Sequence, residues 1–176
     1  MTHTIEIHSA LDDNLVDQLA EILIDATDGG ASVNFLPPLD RDTATRFWRE
    51  LVVRPRGAIA VARSGDRVDG VVVLAPSWAP NQAHKADVAK LLVHRRARGA
   101  GLGRRLMTAL TDHASAMGFR LLVLDTMRGD VAEQLYRKLG WTEAGAIPDY
   151  AIYGDGFVET VLFYKRLAQP RSEPPQ

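Results

Sequence analysis

The chain has 176 residues, a formal net charge of −1, 46% hydrophobic and 24% charged residues, and no cysteine. At roughly 150 residues per domain this is one domain, large enough to bury a core without staples. Disulfides, a thiolate nucleophile and Cys-ligated metal sites are excluded, and near-zero charge argues against a coat for nucleic acid or an anionic membrane.

In chain order, the Met1–Glu6 stretch has neither the basic nor the apolar part of a secretory leader, so a cytoplasmic protein is expected. No apolar run approaches the roughly 20 residues of a membrane span. Ile5 and Ile7 alternate with polar neighbours as in a short strand. Leu15, Leu19, Ile22, Leu23 and Ala26 recur at helical spacing until Gly29-Gly30 stops them. After Pro37-Pro38, Asp40 is a natural N-cap for a helix carrying Phe47, Trp48 and Leu51 on one face. Gly57–Arg63 and Val68–Leu74 flank Ser64-Gly65-Asp66 and predict a β-hairpin.

The second half alternates strand and helix. Val88–Val93 is a strand, and Leu102, Leu106, Leu110, Ala114 and Met117 define a helix ended by Gly118. Leu121–Thr126 is nearly continuous apolar, as in a strand covered on both faces. Val131, Leu135 and Leu139 predict a short helix closed by Gly140, and Phe157–Lys165 a last strand. A strand–helix–strand unit over 88–126 implies a parallel pair with a right-handed crossover. The order predicts a mixed α/β fold with an antiparallel first half. Residues 1–168 are expected to form the domain, and the Pro-containing tail 169–176 to be disordered.

From Val88 to Thr111 there is no acidic residue, but there are Lys90, Arg95, Arg96, Arg98, Arg104 and Arg105. Within this stretch Arg98-Gly99-Ala100-Gly101-Leu102-Gly103 stands at the strand-to-helix junction. Glycines let backbone N–H groups approach an oxyanion, and the helix N-terminus adds partial positive charge. A solvated basic loop with turn glycines is the bland alternative. A P-loop would end Gly-Lys-Ser/Thr, and a Rossmann fingerprint would read G-x-G-x-x-G; neither fits this loop.

The loop resembles the acyl-CoA signature (Arg/Gln)-x-x-Gly-x-(Gly/Ala) of the GCN5-related N-acetyltransferase (GNAT) superfamily. Arg98, Gly101 and Gly103 match it, and Leu91-Leu92-Val93 is the apolar strand just upstream. Leu135-Tyr136-Arg137-Lys138-Leu139-Gly140-Trp141 resembles the family's second motif, a short helix with Tyr before a Gly-aromatic turn. The resemblance covers residues 5–167 and implies one acyl-CoA N-acyltransferase domain. Its fold would be a twisted, mostly antiparallel sheet with flanking helices and a central parallel strand pair that splays. It implies acetyl-CoA as cosubstrate and no metal, with Leu91, Leu92, Val93, Arg98, Gly99, Ala100, Gly101, Leu102, Gly103 and Arg104 holding the CoA. Family members often carry Asn three residues before the alanine corresponding to Ala132; this chain has Gly129. Asp28-Gly29-Gly30-Ala31-Ser32-Val33, Leu124-Asp125-Thr126 and Gly129–Glu133 further resemble the branch containing the tabtoxin-resistance acetyltransferase. That branch implies a small amino-acid-like antibiotic as acceptor.

Acetyl transfer needs a neutral amine, which at pH 7 costs about 4.6 kcal/mol for a lysine-like amine and about 1.4 kcal/mol for an α-amine. A carboxylate base meets that need. The resemblance places an acid on the CoA-carrying strand, where Asp87 stands four residues before Leu91. Asp125 follows the apolar run of the next strand and is expected at the cleft. A solvated strand-end Asp and an N-cap are the structural alternatives for these two. Tyr136 is the candidate acid for the departing thiolate, or else a core tyrosine. His84, His94 and His113 lack metal-ligand spacing, and Trp48, Trp141, Phe47 and Phe119 are core candidates.

The expected activity is acetyl transfer to a primary amine of a small molecule. A peptide acceptor and a non-catalytic acyl-CoA-binding module are the alternatives. The apolar final strand, read as a sheet edge, predicts a homodimer.

Overall fold

Among the described residues, three of the four α-helices begin on an aspartate whose carboxylate accepts a first-turn backbone N–H. Asp12 caps α1 (Asp13–Asp28), Asp40 caps α2 (Arg41–Glu50) and Asp130 caps α4 (Val131–Lys138). Such caps contribute about 1 kcal/mol each by satisfying otherwise orphaned donors. The remaining helix, α3 (Leu102–Ala116), starts at Gly101 with no side-chain cap. The structure is a computed structural model that describes residues 2–31, 33–51 and 54–168; the 169–176 tail lies outside the described residues.

The strands are β1 (Thr4–His8), β2 (Ala58–Ser64), β3 (Arg67–Pro76), β4 (Lys85–Val93), β5 (Leu121–Met127), β6 (Thr142–Tyr153) and β7 (Gly156–Arg166). They form one sheet in the order β1-β2-β3-β4-β5-β7-β6, antiparallel everywhere except between β4 and β5. The fold is the expected mixed α/β arrangement. Side chains alternate between two apolar layers, as the period of a strand requires. Ala60, Ala62, Val72, Leu74, Leu122, Leu124 and Phe163 face α3 and α4, while Ile59, Val61, Val71 and Val73 face α1 and α2. Trp48 and Phe119 are fully buried and Trp141 nearly so, as core residues.

Three expectations change. The final strand β7 is not an edge, because it pairs with β5 on one side and β6 on the other. The edge on this side of the sheet is β6, a strand the periodicity did not predict. β5 is not covered on both faces: Leu122 and Leu124 are buried, whereas Leu121 and Val123 are half-buried and Asp125 is exposed. Finally, β4 begins three residues earlier than expected, at Lys85, and those residues are the ones that pair with β5.

Candidate active site

β4 and β5 are joined only at Lys85–Leu121, Ala86–Leu122 and Asp87–Val123. Beyond that register Val88–Val93 and Leu124–Met127 run on without pairing to each other. Their main-chain groups make no ladder bonds to each other there, and a V-shaped opening results. Within it β4 carries a bulge: Val71 faces Leu92 but Val73 faces Ala89, and Lys90 takes a positive φ of 54°. The extra residue inverts the side-chain alternation, so Ala86 and Val88 belong to the α3 layer while Leu92 belongs to the α1 layer.

At the end of β4 a single 3₁₀ turn, Arg95–Ala97, leads into Arg98–Gly103. Gly99 and Gly101 have φ of 80° and 71°, and a Cβ built on either would meet nothing within 4 Å. These two residues form an open left-handed cradle at the uncapped start of α3, the geometry that suits a pyrophosphate. Gly103 serves packing instead, since its Cβ would come within 3.1 Å of Leu135 Cδ2 on α4. Leu102 is buried under the loop and anchors it. Arg98 donates to the Val93 carbonyl at 3.3 Å and reaches Gly29, whose Cβ would lie 3.4 Å from the guanidinium.

The basic stretch is less cationic in space than in sequence. Asp25 accepts from the Arg95 backbone N–H at 2.9 Å and from its side chain. Arg96 pairs with Glu21 and with Asp69, the latter at 2.6 Å. Asp69 is fully buried. Burial alone would raise its pKa, but hydrogen bonds from Arg67, Arg96 and His3 outweigh that and hold it well below the usual carboxylate range. Burial pushes His94 down, against the pull of Asp25. These contacts neutralise Arg95 and Arg96 and fasten the loop to α1 and β3. Arg98 and Arg104 are left without a carboxylate among the described residues.

Asp87 lies inside β4, half-buried, between Ala75 of β3 and Val123 of β5, with Oδ2 3.5 Å from Lys85 Nζ. Val123 and Asp125 are two residues apart on β5, so Asp87 and Asp125 share one face of the sheet. Asp125 caps no helix; that role belongs to Asp130. Tyr136 lies on the opposite side, in the α3–α4 layer against Trp141 and Phe163, with ring centroids 6.0 and 6.2 Å away. Burial, and then Asp130 and Asp125, push its phenol well above the ordinary 10. The Gly129 position is occupied by a different contact. With φ of 82°, its N–H donates to buried Glu133 Oε2 at 2.6 Å, and Arg128 and Arg137 hold the other oxygen.

Lys90 belongs to the basic stretch of the sequence, but in the fold it serves the α1–α2 segment. Its Nζ donates to Val33 O at 3.0 Å and to Asn34 Oδ1, and it stands 5.5 Å from the Phe47 ring centroid. Burial lowers its pKa, with Asp125 opposing. The segment it touches connects α1 to α2. The tip of the β6–β7 hairpin also reaches this region, because a Cβ on Gly30 would lie 3.3 Å from Tyr153 Oη. Neither contact has a signal in the linear chain, as its partners are 56 or more residues apart.

Among the described residues no group of three or more His, Asp or Glu could hold a metal, and no helix is long and apolar enough to cross a membrane. The family model described as Acetyltransferase (GNAT) family matches residues 16–141. An uncharacterized N-acetyltransferase from the hisH-hisA intergenic region of Azospirillum brasilense is 32% identical over 124 residues, 69% of this chain and 74% of that relative. The structure of yncA from Salmonella typhimurium with its cofactor acetyl-CoA superposes with a TM-score of 0.80 at 18% identity, covering 99% of both chains. An N-acetyltransferase from Staphylococcus aureus Mu50 gives 0.79 at 21% identity, over 93% of this chain and 98% of that one. The cradle, the V and the family match agree: the chain belongs to the GNAT family and is an acetyl-CoA-dependent N-acetyltransferase.

Proposed function

We propose that the acceptor is the primary amine of a small molecule, acetylated by direct transfer from acetyl-CoA in a ternary complex. The observation that carries this reading is that Asp125 stands where β5 has parted from β4, while Tyr136 lies in the layer on the opposite face of the sheet. A direct transfer needs a base on the amine side and a proton donor on the thiolate side, which is the division these two residues offer. In this reading Asp125 or Asp87 takes the amine proton, directly or through water. Leu91–Val93 and the Arg98–Arg104 loop hold the pantetheine and pyrophosphate, and α3's free N–H groups supply the charge complement.

Tyr136 acts as a hydrogen-bond donor to the leaving sulfur. Full transfer of its proton to a thiolate would cost about 2 kcal/mol at ordinary pKa values, and its raised pKa makes the transfer costlier. Water then completes the protonation. With no cysteine in the chain, the usual acyl carrier is missing and a ternary complex is favoured over an acetyl-enzyme. Within the family we read the chain as nearest the tabtoxin-resistance branch, with an amino-acid-like antibiotic as acceptor and the cytoplasm as its setting. The motifs at Asp28–Val33 and Leu124–Thr126 support that.

The same proposal includes a homodimer. The β6–β7 ribbon continues past the last β5 pairing, Met127–Thr160, and exposes Tyr150, Ile152 and Phe157. A second copy would cover them. A monomeric mass by light scattering at micromolar concentration would sink this part.

The main test is thiol release from acetyl-CoA against small amines, amino acids and free-N-terminus peptides, with initial rates over both substrates. Turnover of a small amine with intersecting lines is expected. Turnover of peptides alone would overturn the acceptor class, parallel lines the direct mechanism, and no release with any amine would favour a binding module.

A further inference from the structure

We propose that Lys90 is a positioning residue that sets the acceptor side of the cleft. Its ammonium ties the α1–α2 segment at Val33 and Asn34 to the bulge of the strand that meets the cosubstrate. The proposal rests on the reading that the acceptor enters on the face carrying Asp87 and Asp125.

Three observations converge on this residue. First, Lys90 occupies the bulge, where β4 has already parted from β5 and where the chain takes φ of 54°. A bulge re-aims a side chain, and here it sends a cation out of the strand ladder toward the α1–α2 segment. Second, the ammonium is received by two oxygens of that segment, the Val33 carbonyl and Asn34 Oδ1, with the Phe47 ring of α2 at 5.5 Å. Neutral oxygens and an aromatic face solvate a half-buried ammonium without discharging it. Third, Asn34 is built to receive it. At φ of 69° it adopts the left-handed conformation that Asn tolerates better than most residues, with its amide oxygen on the ammonium.

Beyond the pairing of β4 with β5, the cleft on this face is bounded by the α1–α2 segment on one side and by β5 with Asp125 on the other. Helix packing holds α1 and α2 themselves, and Ala31, Val33, Phe35 and Leu39 pack the segment between them onto that core, whereas Asn34, Leu36, Pro37 and Pro38 are exposed. A charge-assisted tether from β4 therefore adds a polar tie to this packing, at the point where the segment turns its exposed Asn34 toward the strand. Because that tether springs from the strand expected to carry the acetyl group, wall and reacting centre move as one unit.

The test is amide hydrogen exchange over residues 30–36, with acetyl-CoA affinity by calorimetry and thermal unfolding, for Lys90→Met, Lys90→Arg, Asn34→Gly and Asn34→Asp. Asn34→Gly keeps the left-handed backbone accessible and removes the side chain that carries the accepting oxygen. Losing a hydrogen bond to a charged group should speed exchange across the segment by about tenfold or more in Lys90→Met and Asn34→Gly. Lys90→Arg, which keeps the charge, should restore protection. Asn34→Asp, which opposes the cation with an anion, should match or exceed the wild type. Acetyl-CoA affinity should stay within a few-fold throughout.

Unchanged exchange in Lys90→Met and Asn34→Gly would overturn the proposal. So would exchange that rises across the whole molecule together with a fall in melting temperature, which would make Lys90 an ordinary packing residue. Loss of acetyl-CoA affinity in Lys90→Met alone would make it a cofactor ligand instead. Failure of the wild type to bind acetyl-CoA would refute the cofactor-site reading and leave the exchange result to judge the tether on its own.

Discussion

Gly101→Val separates the phosphate cradle from the fold that carries it. Gly101 has φ of 71°, and a Cβ placed there meets no atom within 4 Å. The unliganded protein therefore has room for the valine and bears only the backbone strain, about 1–2 kcal/mol for a left-handed L-residue. In a domain of this size that lowers the melting temperature by roughly 2–8 °C. The ligand has no such room, because the valine projects into the space where the pyrophosphate would accept N–H groups. A micromolar CoA complex is worth about −8 kcal/mol. Losing even one charge-assisted hydrogen bond, about 1.5–3 kcal/mol, weakens it roughly 10- to 150-fold. Gly103→Val is the contrasting variant: its Cβ would lie 3.1 Å from Leu135 Cδ2, so it should act by overpacking α3 on α4, at about 1–3 kcal/mol of stability. Calorimetric titration with CoA and thermal unfolding of both variants decide the matter. A folded Gly101→Val protein that binds CoA as the wild type does would refute the assignment of the loop.

Tyr136→Phe should lower kcat by roughly 10- to 1,000-fold while leaving the KM for acetyl-CoA within a few-fold, as measured by initial rates. The raised pKa of Tyr136 means that the wild type should show no loss of rate from its ionisation up to pH 10. Asp87→Asn and Asp125→Asn should depress the rate most at low pH, where neutral amine is scarce, so a pH series should steepen; a uniform drop at all pH values would deny both the role of base. Asp69→Asn should destabilise the protein at pH 7 by removing the buried negative charge that accepts hydrogen bonds from Arg67 and Arg96 and pairs with His3. Because the folded-state pKa of Asp69 lies below its unfolded value of 3.8, its contribution is full above about pH 5 and is lost as pH falls through the folded value. The gap in melting temperature between wild type and Asp69→Asn should therefore begin to narrow below about pH 4 and keep narrowing toward the folded value; a constant gap down to pH 2.5 would refute this account.

The helices, the first hairpin and the strand–helix–strand unit were legible in the chain because their signals are local. Apolar spacing, the Asp40 cap and stop glycines act within a turn or two, and the caps that the structure adds at Asp12 and Asp130 are equally local. The Arg98–Gly103 loop was legible for the same reason, since three closely spaced glycines need no distant partner to define their backbone. β6 was not. Its Gly145, Pro148 and left-handed Asp149 interrupt any alternation, and as an edge strand it buries too little to impose a period. Only its pairing with β7 makes it a strand, and that pairing also removes β7 from the edge. Charge followed the same rule. The cationic run from Lys90 to Arg105 has its counter-ions on α1 and β3, so sequence reads as one basic stretch what the fold divides among Asp25, Glu21 and Asp69, the Val33–Asn34 wall and the open loop. Where β4 and β5 part, and which carboxylates then share a face with the opening, depends on hydrogen-bond register between segments joined by a whole helix. Register is a property of the closed sheet, and no neighbouring residue encodes it.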